Sequence, residues 1–433
     1  MNIYNYQAAF GAWDKTTRAM RTAIEEWFDL YYDATVTGRA DPCQRVAYTV
    51  VNKIVKTVFA EYASKTADPF LCRILAALEQ QKDTAMQLAL VGGECYIKPC
   101  PGSSSISFTL IPRDNVLVFA RDARGEPTDV GTVEQSTLGN HYYTLLERRR
   151  LDGNGFLTIE NKLYRSLTGQ TLGQQVSLDA HPDYRALASA YTFEKPIGSV
   201  GLIRMRTPML NCVDGSADGV SIYAAATGLI RNIDRNEAQL CGEFTRGQSR
   251  IIASRDLLDA DKNLTDDLFV GLDDDPEQVG LTIFSPQLRE QAYHARKQEY
   301  LRNVETIIGL KRGLLSDANV EERTATEISA SEGEYNLTVM QFQQMWEKTL
   351  QDAAALCAVL SELYGMTPPK NLQITVDWGN GVLFDEEKRW ADYRQMVADG
   401  ILKPEIALGW RFNLPADTQA ELTAIREKYM PGQ

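Results

Sequence analysis

Histidine is almost absent from this 433-residue chain: His141, His181 and His294 are the only three, and they lie far apart. That leaves little material for a histidine-based active site or metal centre. Cysteine is sparse too. The seven (Cys43, Cys72, Cys95, Cys100, Cys212, Cys241 and Cys357) are scattered and odd in number, which fits a reducing compartment and buried structural thiols rather than a disulfide framework. Cys95 and Cys100 have four residues between them and no second pair to complete a zinc site. No run approaches the roughly 18 apolar residues a membrane span needs. The opening MNIYNYQAAFGAWDK lacks the basic start and apolar stretch of a secretory signal. The expectation is a protein that stays in the cytoplasm in which it is made.

Motifs of catalysis are missing as well. There is no G-x-x-x-x-G-K-[ST] loop. GNG at 379–381 and DGNG at 152–155 lack the third glycine of a dinucleotide fingerprint and read as turns. DGSADG at 214–219 has no glycine two residues before Ser216, so it is not a nucleophile elbow. DADKN from Asp259 opens like a calcium loop, but Leu264 stands where glycine is needed. These readings predict no enzyme, no catalytic residue, no cofactor and no metal. A carboxylate-dependent hydrolase stays open only because Asp and Glu are plentiful.

What is present is a folded, acidic protein. Hydrophobic residues make up 44% and aromatics 9%, enough for two or three domains with real cores. Net charge is −13, so duplex DNA is repelled on average rather than gripped. Residues 255–285 hold nine Asp or Glu against two Lys or Arg.

Periodicity predicts α+β. Trp13, Met20, Ile24, Trp27 and Tyr31 share a helical face, as do Val46, Val50, Ile54, Val58 and Tyr62. A third helix runs over 69–91 and stops at Gly92–Gly93. Trp13, Trp27, Trp346 and Trp390 are expected as core anchors. From 95 to 205 the runs CYIKPCP, SISFTLIP, NVLVFARD, HYYTLLERRRL and FLTIENKLYRS, broken by turns, predict an antiparallel β subdomain. Helix returns over 216–244, followed by the short β-like pieces SRIIAS, DLFVGL and LTIFSP. A helix over 287–310 is about 36 Å long at 1.5 Å per residue, and one over 326–364 is about 58 Å. LQITVDW (372–378) reads as a strand. Three short helices follow, with Asp385 as N-cap, Gly400 as C-cap, and Pro404 and Pro415 as helix starts.

Between the two long helices lies KRGLLSDANVEERTATEISASEGEYN, 311–336. It is longer than the ~2–8 residues most helix–helix connections need.

The order of these stretches resembles the portal proteins of tailed bacteriophages, of the siphophage type found in Gram-positive prophages. GGECYIKP with IPRDNVLVFARDARGEPTDV looks like the strand-rich wing. GVSIYAAATGLIRNIDRNEAQLCGEFTRGQSRIIAS looks like the helix into stem and clip. IIGLKRGLLSD with RTATEISASEGE looks like the tunnel-loop segment, and MVADGILKPEIALGWRFNLPADTQAELTAIREK like the C-terminal helices. The likeness spans about 40 to 430.

The resemblance implies a wing at 1–215, a first stem helix at 216–249, a clip at 250–286 and a second stem helix at 287–310. A tunnel loop at 311–325, a long helix with returning strand at 326–378 and a helical crown at 379–433 complete the architecture. It implies a ring, usually of twelve subunits, at one capsid vertex, in virions after assembly in host cytoplasm. Double-stranded DNA passes its channel without sequence specificity. The partners implied are the terminase large subunit, a head–tail adaptor, and scaffolding and major capsid proteins. Lys311, Arg312, Gly313, Leu314, Leu315, Ser316, Asp317, Asn319, Glu321 and Glu322 would form the tunnel loop. Arg289, Lys297 and Arg302 would line the channel, and Asp266, Asp267, Asp273, Asp274, Asp275 and Glu277 would dock partners at the clip. An acidic non-sticking tunnel without a Walker motif agrees with that reading. The alternative is an acidic cytoplasmic scaffold or interaction protein with no channel. The basic run ERRR (147–150) is either the solvent face of a strand end or an inter-subunit contact.

Overall fold

The computed structural model describes residues 6–32, 42–102, 105–247, 250–254, 269–272, 282–284, 287–317, 325–379, 386–412, 414–416 and 418–430. Tertiary contacts divide the chain into two compact units: 1–55 with 66–373, and 56–65 with 374–433.

The chain opens with α1 (Gln7–Phe10), α2 (Arg18–Tyr32), α3 (Val46–Val58), the short strand β1 (Ala63–Lys65), α4 (Pro69–Glu79) and α5 (Lys82–Gly92). Met20, Ile24 and Trp27 of α2 and Val46, Val50, Ile54 and Val58 of α3 are buried, as their spacing of three or four predicts. Trp13 departs from that pattern at 81% exposure. Asp14 accepts from the Thr16 amide and Thr17 Oγ1 from the Met20 amide, so α2 starts only at Arg18 and Trp13 precedes it. The stretch expected as one helix over 69–91 is two. Asp68 caps α4 through the Phe70 and Leu71 amides, with Pro69 at its first position. The chain then bends at Gln80–Gln81, where the Gln81 side chain donates to the Phe108 carbonyl. α5 ends on left-handed Gly93, the stop the sequence signals.

Nine strands follow: β2 (Glu94–Pro101), β3 (Ile106–Pro112), β4 (Val116–Arg121), β5 (Pro127–Leu138), β6 (His141–Leu151), β7 (Leu157–Ser166), β8 (Gln174–Val176), β9 (Ala190–Thr192) and β10 (Ile203–Arg206). They form a three-stranded sheet, β10-β2-β3, and a six-stranded one, β4-β5-β6-β7-β8 with β9 on β7. All these pairings are antiparallel. The named runs pass over the long strand β5 as well as the short β8, β9 and β10. Gly131 interrupts the alternation of β5 because a Cβ there would lie 2.8 Å from both Phe10 and Phe119. Those two rings pack at 5.3 Å within the cluster of Tyr6, Phe10, Leu117, Phe119, Val133 and Leu146.

α6 (Thr227–Arg246) leads to β11 (Arg250–Ser254), β12 (Phe269–Leu272) and β13 (Thr282–Phe284), then to α7 (Glu290–Ile308). The small sheet has order β12-β11-β13, parallel on one side and antiparallel on the other. α8 (Ala325–Leu363) has 39 residues, about 58 Å of helix. Its expected stripe Val339, Phe342, Trp346, Leu350, Ala353, Cys357 and Leu360 is buried, with Tyr335 half-buried at its start.

In the second unit β14 (Thr375–Asp377) pairs with β1. α9 (Glu386–Ala398) and α11 (Gln419–Tyr429) both pack on α10 (Pro404–Arg411): Trp410 stacks on Trp390 at 6.5 Å and meets Tyr393 edge-on at 4.9 Å, and Arg426 of α11 pairs with Glu405. Pro404 opens α10 and Gly400 is left-handed, as expected. Pro415 does not open α11. The Thr418–Glu421 capping box does, four residues later than Pro415 would place the start. The expected cap Asp385 lies outside the described residues. Trp390 is half-buried rather than a core anchor, whereas Trp27 and Trp346 are fully enclosed.

Candidate functional site

The site is the helical hairpin α6–α7, its anchorage, and the chain that leaves it. Its anchorage is a buried charge cluster that no local pattern signals. Glu94 at the start of β2 is fully buried. It accepts from Arg204 Nη2 (2.5 Å), Tyr96 Oη (2.9 Å) and the Gly219 amide (2.7 Å), with Arg113 Nε 3.5 Å away. Asp218 accepts from Arg113 Nη2 (2.8 Å) and Arg121 Nη2 (2.6 Å). Burial alone would raise the Glu94 pKa, but the guanidiniums of Arg204 and Arg113 outweigh it and hold the carboxyl below the ordinary range.

This cluster explains why 216–223 is not helical, though its sequence reads as helix from 216. Gly219 passes against Gly93 so closely that a Cβ on either would come within 2.3 Å of the other's carbonyl oxygen. Thr207 Oγ1 donates to the Val220 carbonyl, Ser221 Oγ to Leu90, and Tyr223 Oη to Trp27. With its polar groups committed to other elements, the segment stays irregular and α6 begins at Thr227. The base of the hairpin is thereby fixed to α2, α5 and β2.

The two helices run antiparallel, as three pairings establish. Asn236 Nδ2 donates to the Tyr293 carbonyl (3.1 Å), Lys297 pairs with Glu237 (3.1 Å), and Arg289 pairs with Glu243 through Nε (3.1 Å) and Nη2 (3.0 Å). Beyond Asn236 no residue of α6 is fully buried, and neither is any residue of α7 before Leu301. The distal halves, about 15 Å of each helix, have mostly each other for cover. Phe244 and Leu288 stand exposed there at 43% and 41%.

All three expected channel residues lie on this hairpin, each with an acidic neighbour. Arg289 holds Glu243. Lys297 bridges Glu237 and Gln44 Oε1 (2.5 Å). Arg302 faces Glu299 at 3.8 Å. Lys297 is thus a hairpin tie, three-quarters covered, and not a side chain directed at open space.

The expected tunnel loop begins by folding back. α7 ends on left-handed Gly309, and residues 311–317 return along the helix. Glu305, fully buried, gathers them: Oε1 accepts from the amides of Leu315 (2.5 Å) and Ser316 (2.9 Å), and Oε2 from the Gly313 amide (3.3 Å) and Ser316 Oγ (2.8 Å). Further back, the Asp317 amide donates to Gln298 Oε1 (2.8 Å) and its carboxylate lies 3.3 Å from His294 Nε2. Lys311 and Arg312 are exposed, Leu314 and Leu315 half-buried. Asn319, Glu321 and Glu322 lie outside the described residues. So do the six expected clip residues, Asp266, Asp267, Asp273, Asp274, Asp275 and Glu277.

Two other constellations invite chemistry. His181 is buried with Nε2 3.4 Å from Ser136 Oγ. Its Nδ1 accepts from the Asp183 amide (3.3 Å), which puts the proton on Nε2. The ring therefore donates to Ser136, the reverse of what a general base needs. Tyr184 Oη, its pKa pushed up to about 12 by burial, also reaches Ser136 and Glu134. Among the cysteines, burial raises the thiols of Cys95 and Cys357 to about 12. Cys72, Cys212 and Cys241 are exposed, so the expectation of buried thiols holds for only part of the set. Among the described residues no group of acidic, His and Cys side chains is placed to hold a metal, and no helix is long and apolar enough to cross a membrane. ERRR is split: Glu147 and Arg149 are buried as a pair, Arg148 holds Asp129, and only Arg150 is exposed.

No family model matches the chain, and no curated protein matches it. Among solved structures it is similar to a chain described as the neck of a native GTA particle computed with C12 symmetry. The TM-score is 0.47 at 12% identity, over 96% of this chain and 99% of that one.

Proposed function

We propose that this chain is a portal-type subunit, one of a ring of about twelve with an axial channel for double-stranded DNA, as the sequence resemblance implies. The observation that carries the reading is the α6–α7 hairpin. It is anchored at its base by a buried charge cluster, covered along its distal half by little but itself, and joined at its far end through a small three-stranded sheet. A two-helix hairpin with so little burial is marginal alone, and neighbouring copies around a ring would cover it. α6–α7 would be the stem, β11–β13 the clip, α8 the long helix behind the loop, and α9–α11 the crown.

In this reading the subunit performs no chemistry. It shapes a conduit whose acidic charge disfavours lasting phosphate contacts, while terminase hydrolyses ATP. The clip would dock terminase and later the adaptor, so neutralising Asp273, Asp274 and Asp275 together weakens that binding without unfolding the chain. Electron microscopy of the purified protein tests the core of the proposal. Class averages down an axis should give rings of about a dozen subunits with a central hole. Particles that stay monomeric at high concentration, also with scaffolding protein present, would favour the channel-free acidic scaffold.

A further inference from the structure

We infer that residues 311–317 form a releasable strap on α7, with Glu305 as its principal latch. Three backbone amides and one hydroxyl converge on that carboxylate, while Ser316 is the strap's one fully buried residue. The strap is thus tied down chiefly by polar contacts, four donors on Glu305 with Asp317 adding contacts to Gln298 and His294, and it has little apolar burial of its own. A segment of that kind opens locally at small cost once its latch is lost. While it is closed, opening would leave a buried carboxylate without donors, and that penalty keeps it shut.

The strap sets where the chain departs from α7. Gln298 and His294, which meet Asp317, lie ten and fourteen residues before the helix end at Ile308, about 15–21 Å back along the axis. Closed, the strap fixes the chain to α7 as far as Asp317; open, the chain is fixed only at the end of α7, which frees the nine residues 309–317. At about 3.3–3.6 Å per extended residue, those nine residues add up to roughly 30 Å of reach. The strap is therefore a two-length spacer between the helices. Its effect on a channel bore rests on the portal reading; its existence does not.

Hydrogen exchange on the full chain reads the device directly. In Glu305→Gln the amide side of Gln cannot accept, so two donors lose their partner. Exchange at the Gly313, Leu315 and Ser316 amides should rise at least about tenfold, with α7 amides at 296–304 and the α8 core unchanged. Should the variant fold poorly, Ser316→Ala with Asp317→Ala removes one latch bond and the His294 contact, and should give a smaller rise in the same amides. Unchanged exchange at these three amides in the variants, or a rise spread over α7 and α8, overturns the inference. The latter would make Glu305 a core residue rather than a latch. Because exchange needs no ring, its failure is distinguishable from a failure of the portal reading.

Discussion

Two carboxylate–guanidinium sites bracket the hairpin, and they differ in everything but chemistry. At the base, Glu94 and Asp218 share Arg113, Arg121 and Arg204 out of water. At the distal end, Arg289 grips Glu243 with a two-pronged contact of good geometry, yet the Arg289 side chain is 72% exposed. Burial makes the first site indispensable once built, since losing one partner strands charges in a dry interior. Exposure of the guanidinium makes the second nearly optional, since water and salt compete for Arg289. The same residue types therefore define a rigid base and a yielding end on one element.

The sharpest way to break that contrast is Arg113→Met. Two buried carboxylates lose a shared guanidinium, along with its bonds to Thr16 and the Val116 carbonyl. Urea unfolding should register a loss of roughly 3–5 kcal/mol. A loss under about 1 kcal/mol would mean that Arg121 and Arg204 suffice and that the base is no more coupled than the tip.

The next effect is smaller and depends on pH. Glu147 is buried between Arg149 (2.7 Å) and Lys98 (3.2 Å). Burial acts to raise its pKa, but Arg149 and then Lys98 prevail and lower it from 4.5 to about 2. With the folded pKa depressed, this carboxylate stabilises the protein fully above pH ~4.5, and that contribution is lost as pH falls toward ~2. Glu147→Gln should be less stable than the parent at neutral pH, and the difference should shrink across that window. Parallel curves for the two proteins from pH 5 to 2 would remove Glu147 from the acid-sensitive set.

How much of this was legible beforehand follows from where each signal resides. Stripes such as Val46-Val50-Ile54-Val58 and Val339-Phe342-Trp346-Leu350 are local periodicities, and the structure buries them as read. The strands at 94–121 and 141–166 are equally local. The base cluster is not, because Glu94, Arg113, Arg204 and Asp218 are scattered over 125 positions and only the fold brings them together. The same long-range bonds cancel the helical pattern over 216–223. Gly131 hides β5, since the gap in its alternation exists to admit the Phe10 and Phe119 rings. Of the expected site, the hairpin helices and the start of the loop were readable. That Lys297 and Arg289 face acidic partners on the other helix, and that Glu305 draws the following loop back, depends on tertiary placement that spacing along the chain does not show.

The weakest effect tests the other half of the contrast. Glu243 has its pKa lowered to about 2 by hydrogen bonds from the Arg289 side chain and backbone, and its own side chain is half-buried beneath an exposed Arg289. Arg289→Ala removes the side-chain bonds and leaves the backbone amide at 3.0 Å to Oε1. Unfolding of the protein as a whole should be unaltered, because no buried group loses a partner. The change should instead be local: faster hydrogen exchange at the last turn of α6 and the first of α7, shrinking as salt is raised, since salt already weakens the parent's pair. In assembled rings the same variant should show this only if neighbouring copies leave the hairpin tip uncovered. An exchange increase in monomers that disappears on assembly would locate the subunit interface on the distal hairpin. An equal increase in both states would place that interface elsewhere and leave the tip to solvent, which would remove the main support for covering it with neighbours.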